Sequence, residues 1–304
     1  MHIKNKKLFS TLGLFLTAFI WGCAFVAQSV GADNVGPFTF LALRNWIACI
    51  ALIPVIAYRN KTGATFKTED QKKDKKMLLI GGILCGIFLC SASATQQAGI
   101  ATTTTAKAGF LTALYVILVP ILSIFFGRKI GLRLLGCIII AVTGLYLLCI
   151  NGPLTISSGD TLELICALLF ACQIITIDKF APYTDGVKLS WMQFFVTAIV
   201  STVSMFLFED VSWITIKNAG AAILYAGFLS STVGYTLQIV CQKDINPSVA
   251  SMIMSLESVF GAISGWILLG QSLSFKECIG CILMFVAIII AQLPSKEDKL
   301  KQGQ

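Results

Sequence analysis

The stretch LFSTLGLFLTAFIWGCAFVAQSV, residues 8–30, contains no charged side chain and is long enough to cross a membrane as one helix. A transmembrane helix needs about 20 mostly apolar residues, because the hydrocarbon core of a bilayer is about 30 Å thick. The apolar core of a secretory signal peptide is shorter, at about 7 to 15 residues. The stretch is therefore predicted to be a retained first membrane helix.

Apolar runs of similar length recur along all 304 residues of the chain. Hydrophobic residues make up 56% of the sequence and charged residues only 12%, whereas soluble proteins carry about 25% charged residues. No stretch is left for a sizeable soluble domain. We therefore predict an all-α integral membrane protein with ten transmembrane helices, at residues 8–30, 37–58, 77–98, 104–126, 132–150, 160–180, 189–208, 219–241, 248–269 and 276–293.

Lysine and arginine residues are concentrated in alternate loops between these helices, above all between Arg59 and Lys76. Cytoplasmic loops of membrane proteins carry the excess of positive charge. The distribution predicts a multi-pass protein of the inner (cytoplasmic) cell membrane with both termini in the cytoplasm, and with Lys217 and Lys276 outside. Because this topology accounts for the formal net charge of +8, no nucleic-acid partner is predicted.

The two halves of the chain resemble each other. FFGRKIGLRLLGC at residues 125–137 is similar to LLGQSLSFKECIGC at residues 268–281. A repeat of five helices crosses the membrane an odd number of times, so the second copy must enter from the opposite side. The sequence thus predicts two inverted five-helix repeats, residues 1–152 and 153–304, around a central cavity, an arrangement suited to alternating access.

Several motifs resemble the EamA-type transporters of the drug/metabolite transporter superfamily. They are WGCAFV at residues 21–26, Arg44 in the second helix, QIVCQKDINPSVAS at residues 238–251 and SLESVFGAISGWILLGQSLS at residues 255–274. The resemblance covers nearly the whole chain. It implies the ten-helix fold of that family, a central cavity between the halves, and the export of amino acids or other metabolites.

Three of the charged residues inside the predicted helices are candidates for a functional site. Arg44 is about seven residues, or roughly 10 Å, from the external end of its helix, where a charge needs water, a carboxylate or carbonyl groups around it. If Arg44 and Lys107 both point inward, they give the outer cavity a positive potential suited to an anion; alternatively, they fasten helices or reach outward. Glu257, the only acid predicted to lie deep in the membrane, is a candidate for proton uptake or for a helix-fastening hydrogen bond.

Polar and aromatic side chains recur at helical spacing within several apolar runs. Polar groups that face lipid are costly, so these faces are expected to point into a hydrated cavity, although each residue could instead bond one helix to another. Together with Arg44, Lys107 and Glu257, the predicted substrate-binding residues are Trp21, Gln28, Gln96, Tyr115, Gln173, Tyr235 and Gln238.

No pattern in the sequence indicates an enzyme, a metal site or a cofactor. The lone CxxC, Cys278 to Cys281, has no second pair, and the single histidine, His2, lies in the N-terminal tail. We predict a secondary transporter that works with a small-molecule substrate in the lipid bilayer and exports a small polar metabolite, such as an amino acid or organic acid. The alternative is a multidrug or organic-cation exporter. Direction, proton coupling and oligomeric state stay open.

Overall fold

The computed structural model describes residues 2–64, 71–103, 105–150, 156–269 and 274–293, and these residues form helices joined by short connections. Within those ranges, the side chains of residues 2–5, 71–73, 105, 265 and 268–269 are not described. Residue 104, the predicted start of the fourth helix, and the predicted repeat boundary at residues 152 and 153 lie outside the described ranges.

Ten helical spans in the described residues are long and apolar enough to cross a membrane, which confirms the predicted all-α, ten-helix class. The helices that contain the first three spans run further than predicted, at His2–Ala32, Pro37–Thr62 and Gln71–Ile100. In chain order the spans are span 1 (Lys6–Ala32), span 2 (Pro37–Thr62), span 3 (Asp74–Ile100), span 4 (Ala106–Phe125), span 5 (Leu132–Cys149), span 6 (Ser158–Tyr183), span 7 (Gly186–Phe208), span 8 (Gly220–Gln242), span 9 (Pro247–Ser264) and span 10 (Phe275–Gln292).

Helix starts follow local capping signals. Span 6 begins after Ser157, whose hydroxyl accepts a 3.2 Å hydrogen bond from the backbone N–H of Asp160, while the Asp160 carboxylate accepts from the Ser157 backbone at 2.7 Å. This reciprocal pair satisfies two backbone N–H groups that have no partner within the helix. Spans 2 and 9 begin with Pro37 and Pro247, at the one helical position where a missing N–H costs little.

Spans 4 and 9 are both interrupted, a feature that the predicted segments at 104–126 and 248–269 did not include. At each interruption the backbone tightens to a shorter hydrogen bond, from Leu114 N–H to Leu111 O and from Leu256 N–H to Ile253 O, each 3.2 Å. The resulting helical segments are Thr105–Ala113 and Tyr115–Phe125 in the fourth span, and Pro247–Met254 and Glu257–Leu269 in the ninth.

Serine side chains accompany the interruption in span 9. The hydroxyls of Ser251 and Ser255 donate to the carbonyl oxygens of Ser248 and Met252 at 2.9 and 2.8 Å. Hydroxyls that bond back to their own helix compete with its backbone and often bend it. The break was not predicted, because the pattern of apolar residues in the sequence does not reveal this local competition.

Each half of the chain packs mainly against the other half. Span 3 contacts spans 6 and 7, span 1 contacts spans 8 and 9, span 2 contacts span 7, and span 5 contacts span 10. The largest core cluster draws buried residues from all ten spans. The halves are therefore interleaved, and the residues at their shared centre come from both.

Spans 5 and 10 approach each other through two glycines. A Cβ atom added at Gly280 would lie 2.6 Å from the Gly144 carbonyl oxygen and 2.7 Å from the Leu148 backbone nitrogen. Real Cβ atoms do not come this close to backbone atoms, and a backbone cannot rotate away as a side chain can. These glycines therefore allow helix contact closer than any larger residue would.

Gly280→Ala is expected to lower the thermal stability of the detergent-solubilised protein. Overpacking costs about 1–3 kcal/mol, which outweighs the roughly 1 kcal/mol that alanine gains over glycine within a helix. Gly136→Ala in span 5 is the matched control, because nothing lies within 4 Å of its added Cβ, and it should melt at or above the wild-type temperature. Equal melting of the two variants would contradict the close approach.

Candidate functional site

A polar cavity lies at the centre of the described helices and encloses about 440 Å³ of space between atoms, including part that is open to its surroundings. Only about 30 Å³ of this space can hold the centre of a water molecule, so in the conformation described the cavity has room for a few waters. Spans 1, 2, 3, 4, 6, 8 and 9 all contribute to its wall. The lining residues are Trp21, Phe25, Gln28, Arg44, Gln96, Tyr115, Phe170, Gln173, Ile174, Ser230, Tyr235, Gln238 and Glu257.

All the predicted substrate-binding residues except Lys107 lie on this wall. Phe25 shares a helix face with Trp21 and Gln28, so its position follows from the same spacing. Phe170, Ile174 and Ser230 also line the cavity and were not predicted. Phenylalanine and isoleucine within an apolar run carry no signal that separates a cavity wall from a lipid-facing surface.

Lys107 does not reach the cavity, which corrects the expectation that it adds positive potential there. Its ammonium group forms an ion pair with Asp160 at the start of span 6. Asp160 is buried and also accepts a 2.6 Å hydrogen bond from the Thr103 hydroxyl. Because the partner lies 53 residues away in the chain, no local pattern around Lys107 indicates the pair.

The Lys107–Asp160 pair is expected to stabilise the fold and to leave substrate choice alone. Lys107→Gln should lower the melting temperature when introduced into the wild type. It should have a much smaller effect in an Asp160→Asn background, because the ion pair is already absent there. A thermal-shift double-mutant cycle measures this coupling. Equal effects in the two backgrounds, or a changed substrate profile for Lys107→Gln, would count against this role.

Arg44 is the basic residue on the cavity wall. Its side chain is buried, with the residue 4% exposed, and its Nε donates a 3.0 Å hydrogen bond to the Ser231 hydroxyl. The guanidinium carbon lies 6.0 Å from the centroid of the Tyr235 ring. Arg44 is absent from the ion pairs found among the described residues. A cation thus lines the cavity without a described carboxylate partner, where it can receive an anion.

Glu257 joins the two interrupted spans. It is the first residue after the break in span 9, and Tyr115 is the first residue after the break in span 4. The Tyr115 hydroxyl donates a 3.0 Å hydrogen bond to Glu257 Oε1, and both residues are buried. The contact between Glu257 and a neighbouring helix matches one of the two alternatives that the sequence left open for this residue, and it lies at the cavity wall.

Aromatic side chains form one side of the cavity. The rings of Trp21 and Tyr235 lie 4.6 Å apart, centroid to centroid, and Trp21 Nε1 donates to the Ser230 carbonyl oxygen at 3.3 Å. Phe194 packs edge-on against Tyr235 at 6.2 Å. These contacts fix the rings in position, so they offer a rigid apolar surface beside Arg44.

Glutamine side chains from four spans add hydrogen-bonding groups. Gln173 Nε2 donates to Gln193 Oε1, and Gln238 Nε2 donates to Gln173 Oε1, each at 3.3 Å. Within the described residues, the side-chain oxygens of Gln28 and Gln238 are buried without a hydrogen-bond partner. Buried polar atoms are rarely left unpaired, so these two oxygens are available to a polar substrate or to water in the cavity.

Glu163 is a further buried acid, which the sequence did not single out. Glu163, in the second turn of span 6, is 0% exposed and is enclosed by neighbouring helices. Its position close to the start of an apolar run resembles that of an ordinary helix-end acid, and only the packing of span 4 against span 6 buries it.

Ten helices long and apolar enough to cross a membrane, with a cation, a carboxylate and several amides on the wall of a cavity between them, describe a multi-pass membrane protein. The comparisons with known proteins give the family. The EamA-like transporter family model matches residues 8–150 and 157–292, so the chain belongs to that family and is a membrane transporter, not an enzyme.

Individual relatives agree with this assignment. The chain is 29% identical over 289 residues to an uncharacterized transporter of Archaeoglobus fulgidus, covering 95% of this chain and 87% of that protein. It is 22% identical to the uncharacterized transporter YoaV of Bacillus subtilis, covering 92% and 95% of the two chains. One solved crystal structure superposes with a TM-score of 0.76 at 18% identity, covering 95% of this chain and 98% of the other, and so shares the fold.

Proposed function

We propose that this transporter exports a small polar metabolite that carries a carboxylate, such as an amino acid or an organic acid, by alternating access. The observation that carries the proposal is Arg44, a buried cation on the cavity wall with no carboxylate partner among the described residues. A charge buried without its counter-ion is unfavourable, whereas an arriving carboxylate pairs with a guanidinium through two parallel hydrogen bonds.

The rest of the cavity supports a substrate that is small and polar with a partly apolar body. The unpaired oxygens of Gln28 and Gln238 accept hydrogen bonds from amino or hydroxyl groups. Trp21 and Tyr235 cover an apolar portion. An amino acid combines these three features, and an organic acid with a hydroxyl group does so as well.

The packing pattern supports two inverted repeats and alternating access. If spans 1 to 5 correspond to spans 6 to 10, the contact of span 3 with span 6 is the counterpart of the contact of span 8 with span 1. Under the same correspondence, the contact of span 3 with span 7 is the counterpart of the contact of span 8 with span 2. Tyr115 and Glu257, which begin the second segments of the interrupted spans, are counterparts that bond each other. Related halves that exchange conformations move an opening from one face to the other.

Spans 2 and 7 are clamped at both ends, which offers a physical basis for two closed gates. At one end, Glu209 accepts hydrogen bonds from the backbone N–H groups of Phe38 and Thr39 at 2.7 and 2.8 Å. At the other end, Arg59 pairs with Asp185 at 3.0 Å. With both termini in the cytoplasm, as the distribution of positive charge indicates, the Arg59 pair lies on the cytoplasmic side and Glu209 on the outer side.

Comparative metabolite profiling tests the proposal without choosing a substrate in advance. Cells that express the wild type, Arg44→Gln or no transporter are grown at matched membrane levels, and their media are analysed by mass spectrometry. The expected result is an amino acid or organic acid that accumulates outside only with the wild type. Accumulation of organic cations, retained in Arg44→Gln and lost in Glu257→Gln, would instead support the multidrug or organic-cation alternative.

A further inference from the structure

Glu163 is a second buried carboxyl group, distinct from Glu257 on the cavity wall. Its Oε2 lies 2.7 Å from the Thr112 hydroxyl, and its Oε1 is buried with no hydrogen-bond partner among the described residues. The Oε1 atom lies against the backbone of span 3, since a Cβ added at Gly99 would be 2.6 Å from it. The group is therefore enclosed on all sides and has one polar contact.

The charges around Glu163 do not balance a negative charge on it. Lys107, the cation on the facing part of span 4, is bound to Asp160. The other groups that act on Glu163 electrostatically, Asp160 from its own span and Glu257 from span 9, are acids themselves. The neighbouring groups shown to act on Glu163 from spans 4 and 6 are the Thr112 hydroxyl and the Cys166 thiol, and Gln96 of span 3 bonds to Thr112; all three side chains are uncharged.

An ionised carboxylate in such a place is disfavoured, because desolvation of the charge is offset neither by a cation nor by a full set of hydrogen bonds. A neutral carboxylic acid suits the same contacts, since its O–H and the Thr112 hydroxyl can share one hydrogen bond. The geometry therefore favours a bound proton on Glu163 in the conformation described.

Polar groups connect Glu163 in two directions. Toward the cavity, the Thr112 hydroxyl accepts a 3.4 Å hydrogen bond from Gln96, which lines the cavity. Toward the end of the molecule, Asp160 lies one helical turn away and contacts Lys107, whose side chain is 21% exposed. In the predicted orientation that end faces the outside of the cell.

We propose that Glu163 is a proton-binding site that couples proton movement to transport, linked to the substrate cavity through Thr112 and Gln96. One proton from water at the outer end adds to the carboxylate and gives the neutral acid; the same proton later leaves to water in the cavity and regenerates the carboxylate. No other bond is made or broken. The coupling role of Glu163 rests on the proposed export function. Proton binding by Glu163 does not.

Infrared spectroscopy of the protein reconstituted in lipid vesicles tests proton binding without any substrate. A protonated carboxyl group gives a C=O stretching band that shifts in D₂O and disappears on ionisation. The wild type should show a component of this band at neutral pH that is missing in Glu163→Gln and still present in Glu257→Gln. Thr112→Val should shift the component, since it removes the hydrogen bond to Oε2. Identical bands in wild type and Glu163→Gln would overturn the site.

Efflux from vesicles tests coupling. Vesicles loaded with a mixture of the standard amino acids and four-carbon dicarboxylic acids are diluted into acidic or neutral buffer, and released compounds are measured by mass spectrometry. For the wild type, the efflux rate into acidic buffer should differ from the efflux rate into neutral buffer. For Glu163→Gln, the two efflux rates should be equal. Asp210→Asn, which removes an exposed acid, should keep the wild-type difference between the two rates. A wild-type difference in Glu163→Gln would overturn the coupling.

The two experiments separate this proposal from the proposed function. If no loaded compound leaves wild-type vesicles, the proposed substrate class fails, and the infrared component alone decides whether Glu163 binds a proton. If export is found and the component is absent, the proposed function stands and the proton site is overturned.

Discussion

Arg44→Gln is expected to reduce export of the transported carboxylate compound by about 30-fold or more. Removing one partner of a buried charge pair costs about 2–5 kcal/mol, and each 1.4 kcal/mol corresponds to a factor of ten. The substitution deletes a buried charge that has no described carboxylate partner, so the folded protein should be no less stable. Initial efflux rates at matched protein levels, together with a thermal-shift measurement, check both parts of the expectation.

Arg44→Lys is the matched control. It keeps the positive charge but loses the flat fork of donors that holds a carboxylate at two points, so an intermediate rate is expected. A wild-type rate for Arg44→Gln would remove the main support for carboxylate recognition. A reduced rate that follows a lowered melting temperature would reassign Arg44 to helix packing, the alternative that the sequence left open.

Gly22→Ala is expected to disrupt both transport and stability, because Gly22 is in contact with the backbone of span 9. The added Cβ would lie 2.6 Å from the Glu257 carbonyl oxygen and 2.7 Å from the Gly261 backbone nitrogen. Span 9 would have to move away from span 1, which would shift Glu257 relative to Tyr115. Overpacking of this kind costs about 1–3 kcal/mol, and misplacement at a binding site adds a loss of activity.

Gly109→Ala tests whether the effect of Gly22→Ala depends on the backbone contact. The added Cβ at Gly109 would lie 3.7 Å from the Ser258 hydroxyl and 3.9 Å from the Phe25 ring, which are ordinary contact distances. This variant should keep most of the transport rate and should melt near the wild-type temperature. If Gly22→Ala and Gly109→Ala behave alike in efflux and thermal-shift measurements, spans 1 and 9 are less tightly packed than described.

Much of the cavity wall could be predicted because polar side chains are rare in membrane helices. Gln28, Gln173 and Gln238 stand out against apolar neighbours, and the cost of exposing an amide to lipid implies that they face inward. Arg44 stands out for the same reason. Phe170 and Ile174 do not, because apolar side chains within an apolar run carry no signal that separates a cavity wall from a lipid-facing surface.

Two contacts that the sequence did not predict involve acids at the start of span 6. Asp160 and Glu163 both lie in its first turns, where acids are common because they favour the positive end of a helix dipole. That general preference hides their specific roles. Lys107 of span 4 forms an ion pair with Asp160. Thr112 of the same span donates a hydrogen bond to the enclosed carboxyl group of Glu163.

The sequence by itself determined the membrane class, the ten helices and the polar faces, because the cost of placing charged or polar groups in lipid acts on each segment separately. The tertiary structure alone decided the partner of Lys107, the burial of Glu163 and the tight contact at Gly22. Each of these depends on contacts between helices far apart in the chain, and a one-dimensional pattern of hydrophobicity does not contain such contacts.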